Sequence, residues 1–330
     1  MIELTTRWLG LDLRSPLVVG ASPLTDDVGA LRACVDAGAG AVVMHSLFEE
    51  QLVAEQMAAH RFIDSRINMD AEARSFFPES EVFEMGSGSY LKRLERLRST
   101  LDVPVIASLN GISPGGWTLH ARELQDAGAD AIELNLYDLA TDPAETAVTL
   151  EQRQQEVVRS VVGQVSIPVS VKLSPFYSAL PAFVAGVEAA GAHGLVLFNR
   201  FYQPDMDLDA LTLSRELVLS SSAELPLRLH AVATLFNRTG LEMAVSGGVH
   251  TGDDAAKAIL SGGTVVQVVS ALLAEGPQAL ARISDAMNRR LSTMGYRTVA
   301  EARGALSLDN APDSKAWERL NYARLLQGWR

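Results

Sequence analysis

Residues 241–271 read LEMAVSGGVHTGDDAAKAILSGGTVVQVVSA. A short apolar run, Met243 to Val245, stops at Ser246-Gly247-Gly248. A helical pattern follows from about Asp253 to Leu260, and Gly262-Gly263 closes it. A second apolar run, Val265 to Val269, ends in Ser270-Ala271. The order is strand, glycine turn, helix, glycine turn, strand. Two strand ends therefore finish on small residues with free backbone N–H groups. Glycines let a chain approach an anion closely, and helix N-termini add donors and a favourable dipole. In an eight-fold α/β barrel, the loops after strands 7 and 8 are the usual phosphate site. The stretch is read as a phosphate cradle, with an ordinary βαβ unit as the plain alternative.

The same unit recurs upstream. A helical pattern ends in a small-residue turn and an apolar strand follows at once. Ala37 to Ala41 leads into VVMHS, Ala127 to Ala131 into IELN, and Ala190 to Gly194 into LVLFN. Each glycine fits the left-handed residue that ends a helix. Each strand is a short continuous apolar run, as expected where both faces of a parallel sheet are buried. Two more strands are entered through proline, VPVIASLN from Val103 and IPVSVKLS from Ile167, a position where proline is tolerated. With PLVVGAS from Pro16 the strands number eight: 16–20, 40–45, 104–108, 131–135, 168–172, 194–198, 242–245 and 264–268. Eight βα units predict an α/β fold, a (β/α)8 TIM barrel, as one domain over residues 1–330. No GxGxxG follows the first strand, which argues against an open dinucleotide-binding sheet.

Ahead of strand 1, LTTRWLG and LDLRSP read as a hairpin that plugs the barrel's N-terminal mouth. After strand 2 the chain inserts a lid-like loop, residues 47–89, with an amphipathic segment EEQLVAEQMAAHRF. Loops that long are usually functional. The tail, residues 298–330, carries an apolar-periodic helix, AWERLNYARLLQGW, expected under the barrel or against a partner subunit.

Composition narrows the function classes. The formal net charge is −12 and hydrophobic residues make up 48%. That balance argues against nucleic acid and anionic membrane as partners, since both need basic patches. No apolar run approaches the roughly 18 residues of a membrane span, and the N-terminus has no signal-peptide pattern. The one cysteine, Cys34, excludes a disulfide framework within the chain and a thiolate metal site. It is expected as a buried small hydrophobe. Six histidines show no HxxxH or HExxH spacing, so no metal is expected. These features suit a reducing cytoplasm.

In such a barrel the chemistry lies at the carboxyl ends of the strands. Those ends carry Ala21 and Ser22, His45 and Ser46, Ser108 and Asn110, Asn135, Lys172, Asn199, Gly247 and Gly248, and Ser270 and Ala271. A lysine inside VSVKLSP is costly to bury unpaired. Lys172 is a Schiff-base nucleophile, a structural ion pair, or a positive partner for an electron-rich ring. His250, beside the Gly-Gly turn, is a further candidate for a phosphate contact.

In this ordered set the chain resembles the dihydroorotate dehydrogenase family of FMN-dependent (β/α)8 barrels, from LGLDLRSPLVVGASPLT to QVVSALL. The resemblance implies FMN as cofactor, an oxidation at a CH–CH group with hydride transfer at flavin N5, and a homodimer. Ala21 and Ser22 would lie against the isoalloxazine ring with Ser46 nearby. Lys172 would reach its N1/O2 edge and favour the anionic reduced form. Asn135 and Asn199 would bind flavin and a planar amide-like substrate, with Asn110 also on the substrate. Gly247, Gly248, Ser270 and Ala271 would hold the ribityl phosphate. The family's Cys or Ser base position after strand 4 holds Asp138 here, its substrate asparagine two residues on is Ala140, and its strand-2 lysine is His45. HSLFEEQ (residues 45–51) and RFYQPDMDLD (residues 200–209) resemble the branch labelled dihydroorotate dehydrogenase-like. Asp138, Tyr137 and His45 are then the candidates for proton transfer. Asp138 would need burial to raise its pKa for that task, whereas histidine already titrates in the useful range. The alternatives are dihydroorotate oxidation itself in pyrimidine biosynthesis, a non-flavin barrel acting on sugar phosphates through Lys172, and a flavoprotein subunit docked on a redox partner protein.

Overall fold

The computed structural model describes residues 1–48, 87–110, 117–138, 140–200, 205–214, 218–318 and 320–328. Its first two strands, β1 (Thr6–Trp8) and β2 (Leu11–Leu13), pair antiparallel as the expected hairpin. Six strands then follow in register: β3 (Leu17–Val19), β4 (Ala41–Phe48), β5 (Val105–Asn110), β6 (Ala131–Asn135), β7 (Val169–Leu173) and β8 (Gly194–Leu197). A small exposed hairpin, β9 (Asp205–Asp207) with β10 (Thr212–Ser214), stands outside the barrel. β11 (Glu242–Ser246) and β12 (Val265–Val268) complete a closed parallel barrel in the order β11-β12-β3-β4-β5-β6-β7-β8. This is the predicted (β/α)8 architecture, with helices connecting the strands.

Alternation along each strand divides the core in two. Leu17, Val19, Val42, Ile132, Leu134, Val171 and Leu173 face outward and pack with helix residues such as Leu94, Phe183, Ile259 and Met287. Val18, Val43, Ile106, Ala131, Val196, Ala244 and Val265 face inward. Trp8, Leu9 and Leu13 of the hairpin join this inner cluster, so the hairpin does plug the barrel. Further along five of the strands the inner face turns polar: Ser108 and Asn110, Glu133 and Asn135, Lys172, Ser246, and Gln267. The barrel is an apolar floor under a polar ceiling.

The plug needs Gly194. A Cβ there would lie 2.8 Å from Leu9 Cδ2, 2.9 Å from the Trp8 ring and 3.1 Å from the backbone oxygen of Glu242. Gly194→Ala is expected to push the hairpin out of place and to cost about 1–3 kcal/mol, as overpacked cores do. A urea melt checks it, and a change under 0.5 kcal/mol would mean the hairpin yields freely.

The four glycines read as helix ends, Gly38, Gly128, Gly191 and Gly262, all take positive φ. Cys34 is fully buried, and burial pushes its thiol up to about 11. Strand boundaries agree within a few residues except at β4, expected over 40–45 and running to Phe48. The register against β5 shifts between Val43 and Ser46, a bulge that lets the strand continue past its apolar run. The predicted insertion is described only at its ends, and its amphipathic segment lies outside the described residues. The tail leaves a bridge between Glu3 and Thr298. Gly304, Leu306 and Leu308 then donate to the carbonyls of Ile259, Leu260 and Ala233, the last turns of two outer helices. The single tail helix expected is divided into a 3-10 turn, Ser314–Trp317, and a helix, Leu320–Gly328. That last helix leaves Tyr322, Leu325 and Leu326 exposed.

Candidate active site

Strand pairing sets the ceiling. Asn110 sits opposite Asn135, and Asn135 opposite Lys172, on three consecutive strands. Asn199 follows β8, and its backbone N–H is held by the Leu173 carbonyl at 2.7 Å. Its Nδ2 donates to Asn135 Oδ1 at 3.1 Å. The structure therefore brings Asn110, Asn135, Lys172 and Asn199 to one arc of the mouth. Ser46 joins it from the side, its Oγ 2.8 Å from Ser108 Oγ.

Beneath the asparagines lies a buried ionic group that the sequence reading did not include. Lys172 Nζ donates to Glu133 Oε1 at 3.2 Å, with side-chain exposures of 7% and 1%. Gln267 Nε2 donates to the other Glu133 oxygen at 2.5 Å, and Gln267 Oε1 is buried without a partner. Of the three readings of Lys172, an ion pair is present, and it leaves the ammonium next to the mouth. A carboxylate neighbour is the opposite of the apolar pocket or second cation that activates a Schiff-base lysine. Glu133 had a signal: it stands two residues before Asn135 in an apolar strand, on the same face. Gln267 stands likewise in VVQVV.

The loops expected to cradle a phosphate rest on supports that the sequence reading did not include. Gly247 and Gly248 take φ of +91° and +79°. A Cβ on Gly248 would fall 2.6 Å from Leu225 N, so the loop lies directly against the next helix, Leu225–Leu235. Ser270 and Ala271, read as a strand end, are the first residues of a short helix, Ser270–Glu275. Ala271 is fully buried and offers only its backbone. Ser220 ties the two loops together: its Oγ accepts from Gly248 N at 3.3 Å and donates to Ser270 Oγ at 2.8 Å. Ser220 carried no sequence signal, since it comes from a third loop.

The helix Gly252–Ser261, counted above as a source of donors, is closed by its own side chains. Asp254 Oδ2 accepts from His250 N, Thr251 N and Ser222 Oγ at 3.1, 3.0 and 2.7 Å, and Thr251 Oγ1 accepts from Asp254 N at 3.1 Å. The carboxylate takes the place an anion would have had, which leaves the glycine loop as the candidate. His250 Nε2 is buried without a partner beside that loop. Arg228, also absent from the sequence reading, packs under it: Nε donates to Ser246 O at 3.2 Å and Nη1 to Glu224 O at 2.8 Å. Burial holds the Arg228 pKa below its ordinary value.

A planar cofactor with a phosphate tail fits this donor set. Backbone N–H groups and a cation line the glycine loops, and Lys172 with an orphaned amide oxygen underlies the mouth. Ala21 packs on the inner cluster and Ser22 is buried before the 3-10 turn Pro23–Asp26, whose Thr25 donates to Ser22 O.

The proton-transfer candidates are placed very differently. Asp138 is ion-paired with Arg153, which also holds Glu145. The hydrogen bond to Asp138 is the main cause of the raised Arg153 pKa. Tyr137 is half-buried one residue before Asp138. His45 lies at the β4 bulge with Nδ1 2.8 Å from Asp26 Oδ1, at ion-pair distance but off the line of a good hydrogen bond. Burial pushes its imidazole below the ordinary value, opposed by the charge of Asp26 and reinforced by Arg93. Among the described residues no group of three or more His, Cys, Asp or Glu could hold a metal.

Residues 80–291 match the family model described as dihydroorotate dehydrogenase. The catalytic subunit of dihydroorotate dehydrogenase B (NAD(+)) from Methanosarcina mazei is 27% identical over 300 residues, covering 89% of this chain and 92% of that one. Dihydroorotate dehydrogenase A (fumarate) from Lacticaseibacillus paracasei is 31% identical over 187 residues, covering 52% of this chain and 60% of that one.

Proposed function

Because the chain belongs to the dihydroorotate dehydrogenase family of FMN-dependent oxidoreductases, we propose that it oxidises a CH–CH bond in a small planar substrate bearing an amide. The observation that carries this reading is the arc of Asn110, Asn135 and Asn199 directly above the Lys172–Glu133 pair. FMN, when bound, supplies N5 as the acceptor of the substrate's hydride. The chain's own residues do the rest. Backbone N–H groups of Gly247, Gly248, Ser270 and Ala271 hold the phosphate. Ala21, Ser22 and Ser46 line the ring, and Lys172 sets a positive charge at its edge. Asn110, Asn135 and Asn199 present amides that match a substrate amide donor for acceptor and so fix its plane. His45, Asp138 and Tyr137 are the groups from which the accompanying proton acceptor comes.

Dihydroorotate itself is the second reading, favoured by the names of the relatives. Against it stand Asp138, held by Arg153, and Ala140 at the positions the resemblance assigns to base and substrate contact. The same reading pairs the chain with itself as a homodimer. The relatives named catalytic subunits also support a separate redox partner protein. The reading expects a cytoplasmic chain, in keeping with a single cysteine that allows no disulfide within it. Among the described residues no helix is long and apolar enough to cross a membrane.

The test is the visible spectrum of the purified protein, then identification of the cofactor released by heat. Flavin absorbance with FMN released is expected. A colourless protein that takes up no added FMN overturns the reading and brings forward the sugar-phosphate barrel. Anaerobic addition of dihydroorotate then separates the two substrates: bleaching of the bound flavin establishes the second reading.

A further inference from the structure

One imidazole in this barrel is held from four directions. The β4 bulge takes His45 out of the ladder between Val43 and Ser46, and bulges beside active sites re-aim side chains in this way. Tyr90, from the helix Ser87–Thr100, fills the gap. Its hydroxyl accepts from Ser108 N at 3.0 Å and donates to Ser108 O at 3.3 Å. The Tyr90 ring then meets the imidazole edge-on, centroids 5.3 Å apart. Thr25 Oγ1 accepts from the His45 backbone N–H at 2.8 Å. Next to Thr25, Asp26 brings Oδ1 to within 2.8 Å of His45 Nδ1, and Arg93 grips the same carboxylate oxygen. Nδ1 is buried, so the 15% exposure of the His45 side chain belongs to its other side-chain atoms.

We propose that Asp26 is the positioning residue of this site: it fixes His45 with Nδ1–H turned inward, leaving Nε2 on the opposite edge as the proton acceptor at the barrel mouth. The inference rests on the oxidoreductase reading above and moves its proton chemistry from the loop after β6 to the end of β4. Bookkeeping of the reaction needs one such acceptor. Oxidising H–C–C–H to C=C breaks two C–H bonds; one hydrogen leaves with its electron pair to the flavin and the other leaves as a proton, to His45 Nε2. Asp26 Oδ1 stands 2.8 Å from Nδ1, at ion-pair distance and off the hydrogen-bond line, and its negative charge there favours the proton on Nδ1 and leaves Nε2 the better acceptor. Among the described residues, the charged and titratable groups facing the ring are Asp26 from the 3-10 turn, and Arg93 and Tyr90 from the helix. Burial pushes the Tyr90 hydroxyl well above its ordinary value, so it stays protonated and serves as a spacer.

The test is nitrogen-15 NMR of the histidine side chains in the FMN-loaded protein, with His45 assigned by its loss in His45→Gln. The wild type is expected to show His45 as the Nδ1–H tautomer at pH 8. In Asp26→Ala the preference is expected to disappear and the His45 titration midpoint to fall by about one pH unit. A purely structural Asp26 would lower the melting temperature and move neither signal. A wild-type His45 in the Nε2–H tautomer, or an unchanged tautomer in Asp26→Ala, overturns the proposal. The wild-type spectrum decides by itself if the variant does not fold. The measurement needs no substrate. Should the protein take up no FMN, the oxidoreductase reading fails while the tautomer result still decides the role of Asp26.

Discussion

Lys172→Ala is expected to lose about 3–5 kcal/mol of stability, the usual cost of stranding one member of a buried ion pair. The Glu133 carboxylate, 1% exposed, would keep only the Gln267 amide as partner. The same change removes the cation that Glu133 pairs with beside the asparagines, so FMN affinity is expected to fall as well. Urea melts and fluorescence titration with FMN read the two effects separately. The double variant Lys172→Met with Glu133→Gln is expected to recover most of the stability and none of the FMN affinity, because it removes both buried charges and still lacks the cation. If Lys172→Ala melts like the wild type, the pair is not a structural element. If it binds FMN like the wild type, Lys172 does not face the ring.

Gly248→Ala is expected to weaken FMN binding roughly 100-fold, about 2.7 kcal/mol. The new Cβ meets backbone, not a flexible side chain: Leu225 N at 2.6 Å and Leu225 Cα at 2.9 Å. Neither can yield without moving the helix Leu225–Leu235. The φ of +79° adds backbone strain that only glycine avoids. The relaxed loop would turn the Gly248 N–H away from both Ser220 and the phosphate. Gly38→Ala is the control. Its φ is +103° and its Cβ meets nothing within 4 Å, so it shares the strain without the clash and lies far from the cradle. It is expected to lose stability and keep FMN. Equal FMN loss in both variants would assign the effect to general instability.

Much of the barrel was legible because its signals are local. Each strand is a short apolar run, four helices end on a glycine that takes positive φ, and a two-residue period tells which side chains share a face. Gly247-Gly248 and the polar strand ends could be read the same way, and so could the hairpin of Trp8 and Leu9. Pairing across the barrel could not. Lys172 and Glu133 are 39 residues apart, and Gln267 and Glu133 are 134 apart. Only closure of the sheet, with its register, brings them within hydrogen-bond reach. Asp254 has the spacing of a helix cap and a functional carboxylate alike, and the fold makes it a cap. Asp138 stands at a base position in the sequence, and Arg153 claims it in space. His45 reads as an alternating strand residue until a bulge, invisible to periodicity, turns it toward Asp26. By itself the sequence determined the periodic elements, their order and the chemistry at their ends. The tertiary structure decided which of those groups meet, because meeting depends on register and closure over long separations, and no local pattern carries that information.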